Sequence, residues 1–599
     1  MARFTTRPEI TGTFGVVAST HWIATAAGMG VLERGGNAFD AAVVTALVLQ
    51  VVEPHLNGPG GDMPAIFHSV RTGRTEVLCA QGVAPKGATI EAYRARGLDL
   101  APGSGLLATV TPGAFDGWMQ MLRDHGTLTV AEALAPAIHY ARHGHPALEG
   151  VSSQISGLAD FFRAHWPTSA ETWMPKGRPP APGEFISNPA LAHTWERVVR
   201  EAEAARGGRE AQIEAARACF RTGFIAEAID RYFRTAEVMD VTGRPNTGVL
   251  NGEDLAGWEA HYEAPATLDY HGWTVCKTGP WGQGPVLLQA LALLRGFDVA
   301  AMDPEGPEFV HHVVEAMKLA YADREAFYGD PDFFDIPMET LLSEDYAAAR
   351  RALIGETASL ETRPGRLPGL ERLADAAVAR AEALRETPKG PTAGEPTMAH
   401  LATDRRGDTV HLDVIDRWGN MVSATPSGGW LQSSPVIPGL GFPLNSRAQM
   451  FWLEEGLPSS LHPGARPRTT LTPSLAWFEG APRLAFGTPG GDQQDQWQLV
   501  LFLRHVHHGR NLQEAIDAPL FHSLHMTSSF FPRTARPGAM MIEETAGPAV
   551  IDGLRARGHE VEVAAPWTVG RLTAASRDAD GVMRAAATPR LMQAYAAGR

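Results

Sequence analysis

An α/β fold is the class that this 599-residue chain predicts. Three observations carry that reading. Leu287 to Leu294 and Phe309 to Phe327 place apolar residues at helical spacing, whereas Val410, Leu412 and Val414 alternate with polar partners at the period of a half-buried strand. Hydrophobic residues make up 44% of the chain, enough for one large core.

The elements follow in order. Residues 19–53 read as a helix-rich opening, with Gly28, Gly30, Gly35 and Gly36 allowing close packing and turns. Its apolar run, Ala41 to Val52, is too short to span a bilayer and reads as a buried helix. Residues 130–350 read as mostly helical, and Glu201 to Cys219 as a charged helix with a solvated face. From about 356 to 400 the chain is rich in Ala, Glu, Arg, Pro and Gly, which reads as a mobile tether. Strands are expected at 409–416, 421–425, 474–479 and 483–487, with turn chemistry from Asp416 to Asn420, and a helix resumes at Gln496 to His505. The organisation is a large, mainly helical segment (1–408) ending in a linker and a small strand-bearing segment (409–599), in one globular unit.

Composition excludes several functions. A formal charge of −15 repels a phosphate backbone, so no nucleic-acid partner is expected. Cys79, Cys219 and Cys276 stand in no zinc spacing, and His505-Val506-His507-His508 ends an apolar helix with no further ligand at coordinating spacing. No metal and no cofactor are expected. The N-terminal residues lack the apolar stretch of a secretory signal, so the expected location is the cytoplasm, with no membrane partner.

Chemistry concentrates at Thr409. A tether leading to a threonine at the start of a core strand suits a residue that becomes a new chain terminus. A threonine hydroxyl needs an adjacent base, and its own terminal amine, with a reference pKa of about 7.7–8.0, can serve. That amine exists only after the Asp408–Thr409 bond is cut, by attack of the Thr409 hydroxyl on the Asp408 carbonyl and hydrolysis of the ester. The product is a heterodimer of the two fragments; further oligomerisation is left open.

Other motifs recur in a fixed order: Gly15 to His21, Ala26 to Ala42, Glu53 to Asp62, Val110 to Gly113, Ala133 to Ile138, Asp254 to Trp258, Val314 to Arg324, Arg466 to Pro473 and Gly487 to Asp492. In order and spacing, from about 12 to 590, they resemble the γ-glutamyltransferase family of N-terminal-nucleophile hydrolases. The resemblance implies a four-layer α-β-β-α sandwich and makes Thr409 the nucleophile. It gives Gly490-Gly491 the oxyanion hole, Thr469-Thr470 a substrate-holding hydroxyl pair, and Ser427 a hydrogen bond to the nucleophile. His411 shares a strand face with Thr409 and either tunes the site or is a satisfied buried histidine. Asn57 to Asp62 lacks the lysine of a phosphate loop and reads as a tight turn near the active site.

Departures bear on the substrate. Gln81 stands where glutathione-cleaving relatives carry the arginine for the glutamyl α-carboxylate. Gly429 replaces an asparagine, Arg447 a glutamine, and Met450 the acidic residue that binds the α-amine. The expectation is a self-processing threonine hydrolase or acyltransferase acting on a small amide or related acyl substrate other than glutathione. Two alternatives stay open. One is a true γ-glutamyl enzyme whose carboxylate clamp is rebuilt around Arg447, Arg447 and Arg468 also being the residues available to hold a different carboxylate; the other is a non-catalytic binding protein that keeps the fold.

Overall fold

The computed structural model describes residues 4–385 and 409–599. Asp408 and the 386–400 part of the expected tether lie outside the described residues. Two seven-stranded antiparallel sheets dominate. The first runs Ile10–Gly12, Met583–Ala587, Thr573–Arg577, Ala481–Gly487, Ser474–Phe478, Trp273–Lys277 and Ala266–Tyr270. The second runs Tyr595–Gly598, Gly15–Ser19, Leu412–Asp416, Met421–Ala424, Met63–Ser69, Arg74–Ala80 and His261–Glu263.

The sheets stack face to face, and a helix layer covers each outer face, which makes the four-layer sandwich. Between them lie Val16, Ile66, Ile415, Leu475, Ala485 and Ala575. On the outer face of the second sheet, Leu412, Val414, Val422 and Phe67 pack against the helices Ala38–Val52 and Ala114–His125. On the first, Val275, Leu484 and Phe486 pack against Pro285–Leu294, Pro307–Phe327 and Gln494–His508. The helix Ala38–Val52 is buried at every position and is capped reciprocally by Asn37 and Asp40.

Three expectations change. The strand through Leu412 is buried on both faces rather than half-buried, because its polar alternate positions point at the other sheet instead of at water. The 130–350 stretch is mostly helical, as expected, and also holds His261–Glu263, Ala266–Tyr270 and Trp273–Lys277, so that both segments supply strands to both sheets. The expected tether contains the helix Glu371–Ala383, which buries Leu373, Ala374, Ala377 and Ala381; an alanine stripe at helical spacing builds a core by close approach without bulky side chains. The charged stretch from Glu201 breaks between helices Pro189–Ala204 and Arg209–Arg221. Its Arg217 is buried against Asp116, with two contacts of 2.8 Å, rather than solvated.

Among the described residues, no helix is long and apolar enough to cross a membrane.

Candidate active site

Thr409 enters the second sheet just before Leu412–Asp416 and forms an antiparallel bridge with Ser427, beyond the return strand Met421–Ala424. Cross-strand pairing puts the two side chains together, and their hydroxyl oxygens lie 3.1 Å apart, both buried. Ser427 is fixed in turn by Asp62, with backbone hydrogen bonds of 2.9 and 3.0 Å running both ways. That pairing needs glycine. A Cβ on Gly61 would stand 2.0 Å from the Ser427 carbonyl oxygen, and one on Gly58 2.2 Å from that of Gly429. Gly429 itself has φ +62, and a Cβ there would meet the Gly61 nitrogen at 2.7 Å, so backbone approach excludes an asparagine at this position.

The Asp62 carboxylate accepts from Arg447 Nε at 2.9 and 3.2 Å, and neither residue is exposed. Burial pushes the Asp62 carboxyl up, and the guanidinium beside it opposes the rise. Arg447 also lies 5.0 Å over the Trp430 ring. Asp62 is the site residue that sequence reasoning passed over; its signal was its place at the end of the Gly58-Pro59-Gly60-Gly61 turn. Asp62→Ala strips Arg447 of this buried partner, and a loss of about 3 kcal/mol in urea unfolding is expected. A loss below about 1 kcal/mol, the value of a surface pair, would mean that the contact contributes little.

His411 reaches Thr425 Oγ1 at 2.8 Å through Nδ1 and Asp413 Oδ1 at 3.1 Å through Nε2. Thr573 from the other sheet donates to Asp413 at 2.7 Å. Among the described residues His411 makes no hydrogen bond to Thr409, so both ring nitrogens serve an inter-sheet polar network. The ring covers Gly487, where an added Cβ would come within 2.1 Å. The turn after Ala481–Gly487 therefore leaves the first sheet at the end where Thr409 enters the second.

That turn holds Gly490 at φ +130 and Gly491 at φ +57, conformations that disfavour any side chain. Asp492 anchors it through Arg324 at 2.5 Å, Ser529 Oγ at 2.6 Å and the Ser529 backbone N–H at 2.8 Å. Thr469 is tied to the Trp281 carbonyl at 2.9 Å, and Thr469 and Thr470 are both buried. Gln81 is buried, and among the described residues its Oε1 has no hydrogen-bond partner. Met450 closes the short Arg447–Met450 turn and is fully buried. Arg468 is engaged by Glu325 at 2.5 Å.

Metal-capable clusters lie elsewhere and are committed within the protein. In His311, Glu315 and His559, the histidines share a 2.9 Å hydrogen bond and Glu315 pairs with Lys318 at 2.7 Å. In Cys79, His261 and Glu263, the glutamate is bonded by Arg466 and by Trp281. His507 bonds the Tyr270 hydroxyl and His505 the Arg510 carbonyl, both at 2.8 Å.

Comparison with known proteins agrees with this architecture. The solved structure of LmbA2991HD superposes with a TM-score of 0.91 at 53% identity, over 100% of both chains. Cephalosporin acylase from Bacillus halodurans superposes with a TM-score of 0.81 at 28% identity, over 100% of this chain and 98% of that one. In sequence, the oxamate amidohydrolase proenzyme of Klebsiella pneumoniae is 30% identical over 96% of this chain and 97% of its own length. The profile of the gamma-glutamyltranspeptidase family matches residues 24–598, and with it the fold and the relatives agree: this chain belongs to the γ-glutamyltranspeptidase family.

Proposed function

We propose that the protein is a self-processing threonine hydrolase or acyltransferase that cleaves an amide or related acyl bond through a Thr409 acyl-enzyme. The observation that carries the reading is the buried Thr409–Ser427 hydroxyl pair at a strand start, 3.1 Å apart. Cutting at Thr409 frees the amine that serves as base, Ser427 orients the nucleophile's hydroxyl, and the Gly490-Gly491 turn stabilises the acyl oxyanion. An acylase and an amidohydrolase proenzyme among the similar proteins support a general amide substrate and a cleaved heterodimer.

The direct test is acylation. After incubation with a slowly hydrolysed acyl-anilide, mass spectrometry is expected to find the acyl group on the peptide that begins at Thr409. An adduct elsewhere, or none during turnover, would overturn the assignment. The oxyanion role has its own test. Gly491→Val forces a branched side chain onto a left-handed backbone and displaces the N–H donor, and kcat is expected to fall by roughly 10²–10³. A rate within twofold of the parent would move the oxyanion hole away from this turn.

A further inference from the structure

Two consecutive glycines leave a backbone unusually free, so the Gly490-Gly491 turn keeps one shape only if contacts hold it. Its carbonyls point into the helix that follows. The Gly490 carbonyl accepts from the Gln493 backbone N–H at 3.1 Å, and the Gly491 carbonyl from that of Gln494. A trans peptide aims its N–H opposite to its C=O, so the Gly491 N–H faces away from the helix start. Among the described residues, neither the Gly490 nor the Gly491 N–H donates a hydrogen bond, which leaves both for an acyl oxygen.

One side chain of the large segment reaches this glycine pair. Gln283 is fully buried between the strand Trp273–Lys277 and the helix Pro285–Leu294. Its Nε2 donates to the Gly491 carbonyl at 3.3 Å, and its Oε1 accepts from Arg324 Nη1 at 2.8 Å. The same Arg324 nitrogen binds the Asp492 carboxylate, and Tyr321 bonds the Asp492 carbonyl, so Gln283 completes a cage behind the turn. Among the described residues, no other side chain bonds either glycine. The residues just before Gln283 tie down the hydroxyl pair. Thr469 donates its backbone N–H to the Trp281 carbonyl at 2.9 Å, and Gly282 forms a parallel bridge with Thr469. Three successive residues of the large segment thus set the spacing between two site segments of the small one. We propose that Gln283 is a positioning residue for acyl transfer, which holds the Gly491 carbonyl and so keeps the N–H groups of the turn aimed at the acyl oxyanion. The proposal rests on the acyl-transfer reading above and adds to it the residue that sets the oxyanion turn.

The experiment follows p-nitrophenyl acetate hydrolysis by the cleaved enzyme, an activated ester that needs no side-chain recognition, with the rate of the Thr409→Ala protein subtracted. Gln283→Met fills the same space without a donor. Gln283→Glu keeps the acceptor for Arg324 but turns an oxygen towards the Gly491 carbonyl, and it decides the matter if the methionine variant fails to fold. In both, kcat is expected to fall by about ten- to a hundredfold, the range for a small misplacement of catalytic groups. KM should hardly move, because the turn meets its charge only in the transition state. In a Gly491→Val background, where the donor is already displaced, adding Gln283→Met is expected to cost less than about twofold more, since two changes acting through one element are not additive. Losses that multiply in the double variant, or a KM that rises in step with the fall in kcat, would make Gln283 a merely structural residue and overturn the proposal. A kcat within twofold of the parent in either folded variant overturns it too, and if Gly491→Val still loses activity the acyl-transfer reading stands. A fully cleaved parent that releases no more nitrophenol than Thr409→Ala removes the acyl-transfer reading itself, and the proposal with it.

Discussion

Thr409→Ala is expected to remain one chain of 599 residues and to lose all measurable acyl transfer, while the parent separates into fragments 1–408 and 409–599. The smaller fragment should begin Thr-Val-His on N-terminal sequencing. The physical basis is that one hydroxyl does two jobs. It attacks the Asp408 carbonyl to create the terminus, and afterwards attacks the substrate with its own amine as base. Alanine removes both at once, and among the described residues neither neighbouring polar group is placed to substitute. Ser427, beyond the return strand, is held by isolated bridges to Thr409 and Asp62, and His411 is bonded to Thr425 and Asp413. The fold should survive, because the methyl that remains still fills the buried position and the strand pairing is unchanged. A Thr409→Ala protein that is cut at the same bond would end the self-processing mechanism. Parent protein that stays full-length after long incubation would favour the binding-protein alternative.

The sequence made some of this legible for specific physical reasons. The hairpin through Thr409 was readable because alternation, an Asp416-to-Asn420 turn and a return strand all agree, and the helices Pro285–Leu294 and Pro307–Phe327 announce themselves by period. What was hidden is of two kinds. Short strands such as His261–Glu263 have too few residues to show a period, and the Ala-rich stripe of Glu371–Ala383 looked core-poor because its side chains are small. Ionic partners were hidden because they are remote along the chain. Asp62 lies 385 residues from Arg447, and Glu325 lies 143 from Arg468. Both arginines read as free carboxylate clamps until their partners were seen.

Those pairings sharpen the expectation for a glutamyl donor. γ-Glutamyl-p-nitroanilide differs from glutaryl-p-nitroanilide by one ammonium, on the carbon that bears the carboxylate. Among the described residues that ammonium has no acid waiting at the position where Met450 stands, fully buried. The nearby carboxylates are spent, Asp62 on Arg447, and Glu325 and Asp492 on Arg324 and Arg468. Gln81 offers no charge and Gly429 no side chain to either end of the amino acid. An uncompensated charge left in a buried site costs about 3–5 kcal/mol. At 1.4 kcal/mol per decade, kcat/KM for the glutamyl compound should lie roughly two to four orders of magnitude below that for the glutaryl compound. Met450→Asp restores an acid beside the ammonium and is expected to recover at least part of that gap in a steady-state assay of the cleaved enzyme. Glutamyl turnover equal to or better than glutaryl turnover in the parent would mean that the cleaved site carries a counter-charge for the ammonium and that the enzyme is a true γ-glutamyl hydrolase or transferase.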